Sequence, residues 1–287
     1  MAILHDNELD DFPISPQAII NSTDFYESFL QCEELVKNIP KKQLGENTDE
    51  TFYNLLQEVH SANSGKSALF RRKVDASEAL SMLWLSRVRA TAQLFVAFNE
   101  IPLFNELTES DLSNFSKLSK DINNLHKLAD TLLEFGIILI YEPSIPKMKL
   151  DGAVFNLRSG RPVIALSLRF PQLDKFWFSL MHELAHIVLH YEKLSIPILD
   201  DMNDIHDDII EKQADKLATN SLISRSDWRS SIVKYSPSEK SIKDFAKQVG
   251  IHPSIVAGRL QKESNQYAIF SKIVNEVNVR EVLFSHE

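Results

Sequence analysis

Between Phe176 and His190 the chain reads FWFSLMHELAHIVLH, an apolar stretch whose titratable members are three histidines and one glutamate. A run this apolar predicts a helix buried on most sides. Unpartnered polar groups are costly in such a setting, so His182, Glu183 and His186 need a common purpose. On a helix, residues i and i+4 lie one above the other, and the residue after i points about 100° away. The order His182-Glu183-Leu184-Ala185-His186 therefore lets two imidazoles reach one ion, with Glu183 directed toward water beside it. Zinc with three protein ligands keeps a fourth position open and brings the pKa of its water toward about 7, and a nearby carboxylate can take the proton. The pattern points to zinc-dependent hydrolysis, with His182 and His186 as ligands and Glu183 as general base. Asp174 is the expected N-cap of this helix, which is predicted to run to about Tyr191.

The third ligand is expected downstream. In Glu211-Lys212-Gln213-Ala214-Asp215-Lys216-Leu217-Ala218 the apolar positions Ala214, Leu217, Ala218 and Leu222 mark a helix packed on the core. Glu211 lies one turn before the small Ala214, where two helices can approach, which completes a set of two His and one Glu. Asp204, Asp207 and Asp208 compete for that role but read as loop and capping residues. His190 is eight residues from His182, about 12 Å along a straight helix, too far for the same ion. It reads as a packing histidine or one that supports a ligand.

The rest of the chain frames this motif. Residues 1–22 carry Pro13 and Pro16 and show no periodicity, as in an irregular arm. Helices are predicted over residues 23–37, 49–60 and 76–98, with a loop around Asn63-Ser64-Gly65. The spacing of Thr108 and Asp111 is that of a capping box. The helix it starts leads into a second over residues 121–135, closed by Gly136. Short β-branched runs at 137–141, 152–155 and 162–166 predict a sheet of about three strands. The fold class is thus α+β, mostly helical, with a small sheet beside the HExxH helix. The expected organisation is an N-terminal helical region (1–120), a metallopeptidase domain (121–270) and a C-terminal tail (271–287).

Composition narrows the function classes. At 287 residues, 44% hydrophobic and 25% charged, the chain can bury a full core. The single cysteine, Cys32, can form neither an internal disulfide nor a thiolate cluster and reads as a buried small hydrophobe. A net charge of -9 argues against broad nucleic-acid binding. The absence of a long apolar run and an acidic N-terminus (MAILHDNELDDF) predict a cytoplasmic protein with no membrane association.

HELAHIVLH, EKQADKLA, GRPVIALSLRFPQLDKFWFSL, IKDFAKQVGIHPSIVAGRLQ and ALFRRK together resemble the ImmA/IrrE family of metallopeptidases, in particular the branch at the C-terminal end of HigA-like, XRE-type regulators. The resemblance spans residues 50–265. It implies a gluzincin with His182, His186 and Glu211 on zinc, Glu183 as catalytic carboxylate, and a protein substrate such as a transcriptional repressor or antitoxin. The XRE helix-turn-helix common in that branch has no counterpart in residues 1–48.

Residues 243–261 do read as helix-turn-helix, with Ala246, Gly250 and Val256 at suitable offsets, but their basic surplus is weak. A helix pair that completes the peptidase fold is the favoured reading, ahead of operator binding. His252, Arg259, Arg169, Arg158 and Tyr191 are candidates for stabilising an oxyanion. The aromatics Phe170, Phe176, Trp177 and Phe178 are expected in the core. The stretch Val163–Leu166 is expected to offer a sheet edge to an extended substrate, and the acidic stretch 200–208 to gate access. Two functions compete: an endopeptidase acting on a partner regulator, and a repressor-partner binding protein in which zinc is structural.

Overall fold

The computed structural model describes residues 22–64, 76–200 and 209–284. The N-terminal arm, ALFRRK, Gly65 of the predicted loop, and Asp204, Asp207 and Asp208 lie outside them. Three helices come first: α1 (Ser22–Lys37), α2 (Thr48–Ser64) and α3 (Ala76–Phe98). Then come α4 (Glu109–Leu118) and α5 (Leu128–Leu133), strands β1 (Ile138–Tyr141), β2 (Gly152–Asn156) and β3 (Pro162–Leu166), and the long helix α6 (Leu173–His190). A short strand β4 (Ile198–Asp200) precedes α7 (Ile209–Leu222), α8 (Arg225–Ser230), α9 (Glu239–Val249), α10 (Pro253–Ser264), α11 (Ser271–Val274) and α12 (Val279–Phe284).

Local signals set many boundaries. Thr108 and Asp111 form the reciprocal capping box that starts α4. Gly250, at φ +76°, closes α9, and Pro253 opens α10. The segment read as one helix over 121–135 is a 3-10 stretch (Ile122–Lys127) followed by the short α5. The Asp121 side chain accepts from Asn123 N–H there and favours the tighter turn.

The sheet has four strands in the order β1-β3-β2-β4. β1 and β3 are parallel; β2 is antiparallel to both β3 and β4. The strands read as continuous apolar runs because both faces are covered. Val154, Ile164 and Leu166 point into one core, with Leu180, Leu184, Ala214 and Ile255. Ala153, Phe155, Val163 and Ala165 point into a second, with Leu55, Leu83, Trp84 and Val88 of α2 and α3. The sheet is therefore a wall between two helical layers. Cys32 is buried in the second core, as a small hydrophobe would be.

Two expectations change here. β3 is hydrogen-bonded on both sides, so Val163–Leu166 is not a free edge; the edges are β1 and β4. Asp174 is not the N-cap of α6: Gln172 holds that place without a side-chain cap. Asp174 lies in the first turn with its side chain buried, 9% exposed, against Gly258 of α10. The α9–α10 pair packs into the main core through Ile242, Phe245, Ala246, Ile255, Val256 and Leu260. Residues 271–284, read as the start of a tail, place Ile273, Val274, Val277 and Val279 in the same core. No described helix is long and apolar enough to cross a membrane.

Candidate metal centre

The helix α6 lies against the sheet and against α7, which brings Glu211 opposite the HELAH turn. His182, His186 and Glu211 each present one ligand atom, all within 4.8 Å of one another. The Nε2 atoms of the two histidines are 3.0 Å apart. Glu211 Oε2 is 3.1 Å from the first and 3.5 Å from the second. Bonds of about 2.0–2.1 Å to a tetrahedral ion place ligand atoms about 3.3–3.4 Å apart, so the three separations straddle the spacing a metal requires. Burial works against ionising Glu211, but its hydrogen bonds to His182 and His186 hold its carboxyl well below the usual range. The two histidines are almost fully buried.

The remaining ring nitrogens are engaged as supported ligands would be. His182 Nδ1 is 3.1 Å from Asp215 Oδ1. His186 Nδ1 is 3.2 Å from His190 Nδ1, and His190 Nε2 is 3.0 Å from Gln213 Oε1. With Nε2 of His186 turned to an ion, this chain has one consistent direction: His186 Nδ1–H donates to His190, whose Nε2–H donates to the Gln213 carbonyl oxygen. His190 thus stands behind His186 and does not join the ligand group. Asp215 carries a sequence signal, since it is four residues after Glu211 on one helix face. The Gln213 contact has none.

Glu183 is fully buried, and neither carboxylate oxygen has a hydrogen-bond partner. Burial drives its pKa well above the ordinary value; the adjacent charge of His182 opposes this. Its neighbour on β2 is Gly152, where a Cβ would stand 2.3 Å from Glu183 Oε1. The absent side chain of Gly152 is what gives the carboxylate its place. Two further buried acids, Asp151 and Asp200, add negative charge; Arg169 pairs with Asp151 at 2.8 Å. Asp200 is pushed by burial up to about 6. Of the described residues in the stretch expected to gate access, Asp200 is thus a buried strand residue.

The candidates for an oxyanion donor are dispersed. His252 caps α10 through Nδ1, accepting from Ser254 N–H at 3.2 Å. Arg259 donates to Glu263 and to the Ile223 carbonyl and lies over the Trp228 ring. Tyr191 donates to the Gly160 carbonyl. Arg169 is held by Asp151. Arg158 is not among the residues gathered at the ligand group. Of the aromatics, Phe176 and Trp177 are core, Phe170 is partly exposed, and Phe178 faces the His182 ring with centroids 6.3 Å apart.

Comparison with the curated proteins gives no match. Residues 134–261, a little under half of the chain, match the family model of the IrrE N-terminal-like domain, peptidase family M78. The matched segment runs from the end of α5 into α10 and so contains the whole sheet, the HELAH turn and Glu211. The match supports a metallopeptidase of the ImmA/IrrE kind in the segment that gathers His182, His186 and Glu211.

Proposed function

We infer that the chain is a zinc-dependent endopeptidase, with His182, His186 and Glu211 as ligands and Glu183 as general base. The observation that carries this reading is the Glu183 carboxylate, buried beside the ligand group with both oxygens free of hydrogen bonds. A structural zinc is ordinarily closed by four protein ligands, whereas three leave a position open, and an unbonded buried carboxylate beside it is a standing cost that a purely structural site would not carry. A bound zinc ion would supply Lewis acidity toward water and toward a peptide carbonyl. Glu183 then accepts the proton lost by the attacking water and can return it to the leaving amine. Asp215 orients His182, and the His190–Gln213 pair orients His186.

Among the described residues the sheet edge nearest the site is β4, whose Asp200 pairs with Gly152, and we assign the alignment of an extended substrate to that edge. The substrate we favour is a regulatory protein, a repressor or antitoxin, on the strength of the family resemblance. Direct DNA reading through residues 243–261 draws no support from the packing: α10, the helix that would enter a groove, buries Ile255, Val256, Ala257 and Leu260 in the core.

The test mixes zinc-loaded wild type or Glu183→Gln with the regulator encoded beside the gene and follows both by intact mass. Discrete fragments made by the wild type alone are expected. A stable complex with an intact regulator, formed equally by both proteins with zinc bound, would replace the enzyme by the repressor-partner binding protein.

A further inference from the structure

A pocket of about 290 Å³ opens between α6, α7 and α10. Phe178, Leu222, Ile223 and Ile255 form an apolar part of its wall, and Asp174 lines it together with the charged Lys175, Arg259, Lys262 and Glu263. Phe178 joins the pocket to the ligand group, because the same ring faces His182 one helical turn on. A wider groove shares Thr219, Ile223 and Arg259 with the pocket and follows α7 to Asp215.

Asp174 is built into this position. A Cβ at residue 258 would stand 2.1 Å from Asp174 Oδ2, so glycine there lets the carboxylate lie against the α10 backbone. Oδ1 is buried and has no hydrogen-bond partner. The other charges at the pocket have fixed positions. Glu263 binds Arg259 and the Trp228 indole N–H. Lys262 lies over the Phe178 ring, within the field of Asp215. Lys175, next in sequence, and hydrogen bonds from the Lys175 and Asp174 backbone N–H groups only partly offset the burial that pushes Asp174 up to about 6. At neutral pH the carboxyl is therefore mostly ionised, buried and incompletely paired.

We propose that this pocket takes the side chain of a lysine or arginine of the substrate, with the aliphatic stem against Phe178 and Ile255 and the cationic head at the Asp174 carboxylate. A neutral amide would supply the missing hydrogen bond and leave the charge uncompensated, whereas an ammonium or guanidinium head supplies both. The proposal rests on the peptidase reading only in calling the ligand a substrate side chain.

The test is independent of cleavage. N-acetyl-arginine amide and N-acetyl-norleucine amide, which shares the stem and lacks the cation, are titrated into the zinc-loaded full chain and followed by amide NMR shifts. The arginine probe is expected to shift Phe178, Thr219 and Gly258 and to bind about tenfold or more tightly than norleucine. Asp174→Asn should abolish that preference with zinc content unchanged. Equal binding of the two probes to wild type, or shifts elsewhere, would overturn the pocket assignment whether or not the variant folds. Failure of the metal reading would appear separately, as loss of zinc uptake, without changing probe binding.

Discussion

Asp174→Asn gives a quantitative test of how the α6–α10 contact is held. Burial raises the Asp174 carboxyl from 3.8 to about 6. With 9% of the residue exposed, the shift belongs to an interior group. The folded state binds this proton more tightly than the unfolded chain does. The contribution of Asp174 is therefore full below about 3.8 and is lost as pH rises through about 6. At about 1.36 kcal/mol per pKa unit, the loss is on the order of 3 kcal/mol. Asparagine has nearly the same shape and does not titrate. Its stability relative to wild type should climb by about four-fifths of that amount between pH 4 and pH 7.5, with a little under half of the rise complete at pH 5. Urea unfolding of both proteins in chelator, at matched pH values, reads the difference directly and cancels what they share. A difference that stays flat with pH, or falls, would refute the picture of a buried, incompletely paired carboxylate. Saturating arginine amide should flatten the wild-type slope, because the bound cation replaces the missing partner.

Two further substitutions separate chemistry from metal binding. Gly152→Ala places a methyl group 2.3 Å from Glu183 Oε1 and must displace that carboxylate or β2. Cleavage should fall by about 100-fold, the scale of a 1 Å misplacement, at unchanged zinc content, and wild-type turnover would remove Gly152 from the argument. His190→Ala breaks the chain from His186 to Gln213. Zinc affinity measured by chelator competition should weaken by about 10- to 100-fold, and an unaltered affinity would mean that His186 needs no support from behind.

Sequence periodicity discloses what is local. The helices α1, α2, α3 and α7 follow from apolar spacing and the start of α4 from its capping box; β1, β2 and β3 follow from β-branched runs. The HELAH turn and Glu211 are legible because a ligand set needs fixed spacing on a helix and a carboxylate on its neighbour. What is missed depends on distant contacts. β4 is three residues long and exists because Asp151 N–H and β2 pair with it. Asp174 looks like a cap from its neighbours alone; only the approach of Gly258 on α10 explains why it turns inward. Position 152 likewise reads as a strand glycine until Glu183 is found behind it.

The charge around His182 explains why these contacts belong to one site. Asp200, Glu211 and Asp151 act on Glu183; Asp151, Glu211 and Asp215 act on Asp200; and Arg169 is committed to Asp151. Like charges at low dielectric repel strongly, so a folded arrangement of this kind needs a positive counterpart at its centre. His182 supplies part of it: burial opposes its charging, yet hydrogen bonds to Asp215 and Glu211 raise its pKa well above the ordinary value. Ligation through Nε2 would exchange that proton for a divalent ion while Asp215 keeps its bond to Nδ1. The acids that would be a liability in a metal-free core are thus the reason a cation is favoured between α6 and α7, and Glu183, with both carboxylate oxygens buried and unbonded, is not held by a hydrogen bond from proton transfer.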